Sequence, residues 1–294
     1  MFAGIPLRRF LLASVAMLTL APAIPAIAGI VVSLEFRSSA LDRTWAYAVY
    51  LPNGYESSDL SYPVLYLLHG NGGNRYSWVN DGHIQQTADA LIASGDIPPC
   101  LIVMPDAGTS WYVDLKERME TAVINDLIPE VEKNWRALPL RGGRLVAGLS
   151  MGGYGAMRFA LKYPEMFAAA ALLSPAIYNP EPPENSMARR VGVFGSPNYE
   201  SAVWEANNYP ALWDTYLAKK MPVAMYVNSG DDDDFFIEHE AAAFYALLRR
   251  NKQPAELRIV DGAHVWAVWE STIGDAMKYI FRYAERPAVR PAQR

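Results

Sequence analysis

The sequence predicts an α/β domain built on a mostly parallel sheet of eight strands, with helices on both faces. Three observations carry that expectation. Short apolar runs rich in β-branched residues alternate with stretches of helical periodicity along most of the chain. Several runs are apolar almost without interruption, as in Val64-Leu-Tyr-Leu-Leu68, the mark of a strand covered on both faces. Hydrophobic residues make up 51% of the 294 positions and charged residues 19%, which suits a globular chain with a large core.

Taken in order, strands are expected near 30–37, 45–51, 63–69, 100–105, 144–149, 168–174, 223–229 and 255–261. The first two alternate apolar and polar residues more clearly, so they fit an antiparallel edge. Helical periodicity falls near 84–94, 119–135, 151–162, 238–251 and 271–283. Segment 176–222 breaks the rhythm. It holds Pro180, Pro182, Pro183, Pro197 and Pro210 together with Tyr178, Trp204, Tyr209 and Trp213, and it is expected as an irregular, cap-like stretch over a functional site. The tail from Arg286, with Pro287 and Pro291, is expected to be loose. Residues 29–294 make a single domain in this reading.

Residues 1–28 read as a leader. Arg8 and Arg9 precede an apolar run from Phe10 to about Ala21, and Ala26-Ile27-Ala28 has the small-x-small pattern of a cleavage site. The alternative, an uncleaved anchor, meets a run that is short for a bilayer span and is followed by Pro22 and Pro25. The expectation is export to the periplasm or beyond, by a route the paired arginines leave open. No stable membrane insertion is expected once the leader is gone. The leader carries two arginines and no acid, so its removal takes the net charge from −5 to −7. With no cluster of Lys or Arg, nucleic acid is excluded as a partner. The lone Cys100 opens an apolar run and reads as a buried small side chain, so no intrachain disulfide is expected. Nothing in the sequence specifies an oligomeric state.

Gly148-Leu-Ser150-Met-Gly152 matches G-x-S-x-G between a strand and a helix. In that context the serine sits on a sharp turn that lifts its hydroxyl above the sheet, and flanking glycines avoid collision with neighbouring elements. The helix start adds partial positive charge near developing negative charge. A neutral serine needs a base. Of the four histidines, His264 follows the last strand and follows the serine in chain order, so it is the candidate. His239, between Glu238 and Glu240, reads as a solvated helix residue, and His83 as a helix start. His69, before Gly70-Asn-Gly-Gly73, reads as a residue that shapes a glycine-rich loop. An acid to orient His264 is expected among Asp231, Asp232, Asp233 and Asp234. The same run also reads as a solvated loop or, less simply, a cation site, although it lacks the ligand spacing of a calcium loop.

These residues, with Tyr66-Leu-Leu-His-Gly70, Pro105-Asp-Ala-Gly-Thr-Ser-Trp-Tyr112, Gly148-Leu-Ser-Met-Gly-Gly-Tyr-Gly155 and Gly262-Ala-His264, resemble the esterase D-like family of α/β-hydrolases over about 30–283. That group includes S-formylglutathione hydrolases, feruloyl and acetyl-xylan esterases, enterochelin-type esterases and mycolyltransferases. The resemblance implies the α/β-hydrolase fold, Ser150 as nucleophile and His264 as base. It implies an oxyanion hole from the backbone N–H groups of Asn71 and Met151. Many relatives carry an apolar residue where Asn71 stands, a change the backbone donor survives. Relatives that place the acid three residues after a glycine select Asp233, the expected triad acid. Those with an aromatic directly after the acid select Asp234, before Phe235. Trp111 and Tyr112 match a segment that lines the acyl pocket, with plain core aromatics as the other reading. Gly72-Gly-Asn74 departs from the cysteine-containing sequence of the cytosolic thioesterase branch, which disfavours S-formylglutathione. The resemblance, together with the leader, therefore implies a secreted serine carboxylesterase for small, aryl or sugar-linked esters, with no metal or organic cofactor. An acyltransferase with the same triad and a non-catalytic binding protein on the same scaffold are the alternatives.

Overall fold

The computed structural model describes Met1 and residues 28–289. The expected leader lies, but for Met1 and Ala28, outside the described residues. An eight-stranded sheet forms the centre, from β1 (Ile30–Ser38), β2 (Arg43–Leu51), β3 (Val64–Leu68), β4 (Leu101–Pro105), β5 (Arg144–Leu149), β6 (Ala169–Leu173), β7 (Ala224–Gly230) and β8 (Ala255–Val260). Their spatial order is β1-β2-β4-β3-β5-β6-β7-β8. β1 and β2 pair antiparallel, Ile30 opposite Leu51, and β2 joins β4 antiparallel. From β4 to β8 every pairing is parallel. This is the α/β-hydrolase fold that the sequence implied.

Residues of period two separate the sheet's faces. On β2, Tyr47, Val49 and Leu51 enter one core, while Ala48 and Tyr50 enter the other. Helices α1 (Ile84–Ser94) and α7 (Trp266–Ile280) cover the second face. The first is covered by α2 (119–134), α3 (Met151–Lys162) and α6 (Ile237–Arg250). α2 is π-helical at Ala122–Leu127, where the Ile128 N–H reaches back to Val123 O. Pro129 follows directly; it has no N–H, and its ring crowds the preceding turn of a regular helix.

Three boundaries differ from expectation. α7 starts at Trp266, five residues ahead of the predicted start, because buried Val268 and Trp269 override the weak helix propensity of Trp-Ala-Val-Trp. Segment 176–222 forms no strand and is irregular in its first half. Its second half forms α4 (Ser201–Asn207) and α5 (Tyr209–Ala218), with Asn208 capping the Tyr209 N–H and Pro210 in the first turn. In the tail, Ala288–Val289 pairs with Leu60–Ser61.

The irregular half of the segment is tied down at both ends. Tyr178 O accepts from Trp204 Nε1 at 3.1 Å and from Asn208 Nδ2 at 2.6 Å. Asn207 O accepts from Tyr154 OH at 2.7 Å and from Arg158 Nη1 at 2.5 Å, both on α3. Arg158 also pairs with Glu120 at 2.7 Å; these side chains are 5% and 2% exposed.

Candidate active site

The turn between β5 and α3 puts Ser150 at φ 53°, ψ −116°, a backbone region that L-residues rarely adopt. The turn is held by the Ser150 N–H to Leu173 O at 2.9 Å and by Ser150 O, which accepts from the Ala176 N–H at 3.1 Å. A Cβ on Gly148 would overlap the backbone of Gly152, and one on Gly152 would overlap Leu68 O. Both glycines of the motif are thus required by the packing of α3 against β5 and β3.

The loops after β7 and β8 are stitched together. The Asp231 N–H donates to Val260 O at 2.9 Å and the Asp232 N–H to Gly262 O at 3.0 Å. This delivers His264 to the serine. His264 Nε2 lies 2.9 Å from Ser150 Oγ, and its Nδ1 lies 2.7 Å from Asp233 Oδ2. With Nδ1–H donating to the carboxylate, Nε2 is left to accept the serine proton. The Asp233 side chain is fully buried, and its Oδ1 accepts from the Phe235 N–H at 3.0 Å. Phe235 and Trp269 pack edge-on against the imidazole at 4.9 and 5.0 Å between ring centroids.

Of the four aspartates, the structure brings Asp233 to His264 and leaves Asp231, Asp232 and Asp234 exposed. Asp231, Asp232 and Asp261 form an exposed acidic group with carboxylate oxygens within 4.8 Å of one another. His239 is exposed on α6, and half-exposed His83 pairs with Glu270 at 2.9 Å. His69 is buried, donates from Nδ1 to Gly70 O at 2.6 Å, and accepts at Nε2 from the Ala107 N–H at 2.9 Å. Burial lowers its pKa, which keeps the ring neutral and able to serve as donor and acceptor at once. Together with the Gly72 N–H to Gly108 O bond of 2.9 Å, it fixes the 70–74 loop.

Asn71, on that loop, lines the cleft above Ser150, and Met151 is the first residue of α3. Among the described residues neither backbone N–H has a backbone acceptor. Trp111 lines the cleft and packs its ring against Tyr154, Phe194 and Trp204. Tyr112 does not, which corrects the expectation that both aromatics face substrate. The two residues share left-handed backbone angles, φ 56° and 54°. Tyr112 turns into the core, against Gly155, and its hydroxyl donates to His69 O at 3.2 Å. It supports the loop from behind.

The cleft has a volume of about 650 Å³. Sequence reasoning missed several of its walls. Ser186 and Met187 come from the irregular stretch, Val265 and Trp266 from the residues after His264, and Phe235 from the acid loop. Their only signal was proximity in sequence to a flagged residue or segment. Among the described residues no Lys or Arg lines the cleft, and Asp81 is its only carboxylate.

The Esterase family model matches residues 38–280. The chain belongs to the Esterase family. Its relatives include an endo-1,4-beta-xylanase/feruloyl esterase of Xylanibacter ruminicola, 37% identical over 52% of this chain and 22% of the relative. Esterase Rv1288 of Mycobacterium tuberculosis is 33% identical over 64% of this chain and 44% of the relative. The chain thus spans less than half the length of these curated relatives. An acetyl esterase of Caldicellulosiruptor saccharolyticus is 27% identical over 76% of this chain and 84% of that protein. Among solved structures, a ferulic acid esterase superposes with a TM-score of 0.76 at 29% identity, covering 87% of this chain and 99% of that one. The relatives and neighbours of this family member are esterases and serine hydrolases. Among the described residues no helix is long and apolar enough to cross a membrane.

Proposed function

We propose that the protein is an exported serine carboxylesterase that cleaves aryl or sugar-linked esters through an acyl-enzyme. One observation carries the reading: an unbroken hydrogen-bond relay from buried Asp233 through His264 to Ser150, at the floor of an open cleft. Ser150 Oγ attacks the ester carbonyl as its proton passes to His264 Nε2. Asp233 holds the Nδ1–H tautomer and balances the imidazolium that forms. The N–H groups of Asn71 and Met151 receive the oxyanion, the second aided by the start of α3. The imidazolium protonates the leaving alcohol. A water activated by His264 then frees the acid and restores Ser150.

The substrate class rests on the cleft and on the relatives. Trp111, Tyr178, Phe235 and Trp266 give it aromatic walls suited to an aryl or acyl group. Among the described residues no Lys or Arg lines the cleft to hold an anionic leaving group such as a glutathione thiolate. The names of the relatives add feruloyl and acetyl esters as the compounds to try. Hydrolysis of p-nitrophenyl acetate and methyl ferulate by wild type and Ser150→Ala tests the reading. A fluorophosphonate should add one label, at Ser150. An active alanine variant, or a label elsewhere, refutes it. Export is tested by N-terminal sequencing of the protein recovered outside the host cytoplasm, where Gly29 is the expected first residue.

A further inference from the structure

Side chains distant in sequence grip both backbone groups of Gly29. Its N–H donates to Asp89 Oδ1 at 2.9 Å, and its carbonyl accepts from Gln85 Nε2 at 2.9 Å. Gln85 and Asp89 stand four residues apart on α1 and so share a face. Tyr50 OH donates to the same Asp89 oxygen at 2.7 Å. Gly29 is buried, and a Cβ there would lie 2.5 Å from the Tyr50 ring and 2.6 Å from Leu51 O, so the seat admits only glycine. Ala28, one residue earlier, is exposed. A shallow hollow of about 290 Å³ opens beside the two residues, with Asn53, Tyr55 and Glu56 on its walls.

The seat is built for more charge than a peptide group carries. Among the described residues, half-buried Asp89 hydrogen-bonds only neutral donors, the Gly29 N–H and Tyr50 OH. Burial and the adjoining carboxylate raise the Tyr50 pKa, so that group stays a neutral donor. Glu56 lines the hollow from the turn after β2, and among the described residues no cation lines it. The charged side chains described around the Gly29 nitrogen, Asp89 and Glu56, are thus both acidic.

We propose that Tyr50, Gln85 and Asp89 form a receptor for the amino terminus of the processed chain, in which the Gly29 α-ammonium pairs with the Asp89 carboxylate. The proposal rests on the export reading above. Hydrolysis of the Ala28–Gly29 bond by a host signal peptidase consumes one water. The Ala28 carbonyl leaves as a carboxylate with the leader, and the Gly29 nitrogen becomes an ammonium. One neutral donor facing Asp89 is thereby replaced by three donors and a unit charge. Processing thus locks the first strand onto α1. The opposite charge raises the amino group's pKa above its ordinary ~7.7–8.0. Its stabilisation is complete below about pH 8 and is lost as pH rises through the raised value.

The test compares chains that begin at Gly29, wild type and Asp89→Asn, with the same pair retaining residues 25–28. Asparagine keeps an acceptor for Gly29 and removes only the charge. Thermal melts from pH 7 to pH 10 should show processed wild type ~2–4 °C above processed Asp89→Asn, with the gap closing at high pH. The pairs retaining 25–28 should show no such pH-dependent gap. Acetylation kinetics should place the Gly29 amine about one pKa unit or more above its ordinary range. Chemically acetylated wild type gives the same comparison should Asp89→Asn not fold. An ordinary amine pKa, or parallel melting profiles in both processed chains, overturns the receptor. Ester hydrolysis measured on every chain keeps the outcomes apart: full activity with parallel profiles removes the receptor and leaves the esterase. An exported protein that begins elsewhere than Gly29 removes the receptor and the cleavage position together.

Discussion

Asp233→Asn isolates what the buried carboxylate does for His264. The asparagine amide has two orientations. In one, its oxygen keeps the Phe235 N–H bond, now 3.0 Å, and its NH2 faces His264 Nδ1. That face demands an acceptor, so the imidazole carries its proton on Nε2, where it points at Ser150 and cannot take the serine proton. In the other, the oxygen faces His264 and the NH2 opposes the Phe235 N–H, leaving that donor without an acceptor. An unmet donor of this kind costs about 1–3 kcal/mol. The competent orientation then falls to roughly one molecule in five to one in 150. The imidazolium of the attack step also loses its neighbouring negative charge. Together these predict a fall in kcat of ~10² to 10⁴, the upper figure being the size of the same change in a serine protease. Asp234→Asn, at an exposed position, should stay within a few-fold of wild type. The assay is p-nitrophenyl acetate turnover at fixed pH, with melting curves to show that both variants fold. If Asp233→Asn turns over within a few-fold of wild type, or Asp234→Asn is the inactive one, the assignment of the acid is wrong.

Three further outcomes follow from the geometry. Glu120→Gln breaks a buried pair and should cost about 3–5 kcal/mol in denaturant unfolding. Burial raises the Glu120 pKa, but Arg158, Lys162 and the Tyr163 hydroxyl outweigh it and hold the carboxyl below its ordinary value. Its contribution is present above the unfolded carboxyl pKa and lost as pH falls through the lowered one, so the variant should melt with a flatter acid limb. Gly152→Ala drives a Cβ into Leu68 O and should cost about 3 kcal/mol or more, read as a lowered midpoint of denaturation or insoluble protein. His239→Ala and His83→Ala should keep kcat within about two-fold, since one is exposed and the other belongs to a half-exposed pair.

The parts of this molecule legible in the sequence are those that short-range chemistry decides. Val64–Leu68 and Arg144–Leu149 read as buried strands because no polar position interrupts them. Ser150 was legible because a strained turn needs glycines at fixed offsets, and His264 because the chain must return to the same sheet edge. Asp233 was narrowed to four neighbours by position and separated from Asp234 by burial, a tertiary property. Trp111 and Tyr112 looked equivalent and share left-handed φ angles; Tyr112 packing on Gly155 and reaching His69 O, contacts that sequence does not encode, leaves only Trp111 to the cleft. α4 and α5 were missed because the prolines and aromatics around them read as breakers, while their order comes from Trp204, Asn208 and Tyr209 packing on distant groups. The cleft walls were legible least, since Met187, Phe235 and Trp266 meet only in the folded chain.

The double grip on Tyr178 O, by Trp204 and Asn208, bears on how this scaffold can change. It closes the chain from 178 to 204 into a pinched loop, and Phe194 from within the loop packs back onto Trp204, Trp111 and Tyr154. Lengthening such a loop costs little, about 0.6 kcal/mol for each doubling. The residues inside it carry Ser186 and Met187 into the cleft, while α3 is fastened to Asn207, just past the neck. Replacing 181–192 therefore exchanges one wall of the binding space as a cassette, while Val193 and Phe194 stay packed and the turn at Ser150 keeps its place. The cleft wall and the Ser150 turn can diversify separately here, and libraries confined to that loop are the direct way to change what the cleft admits.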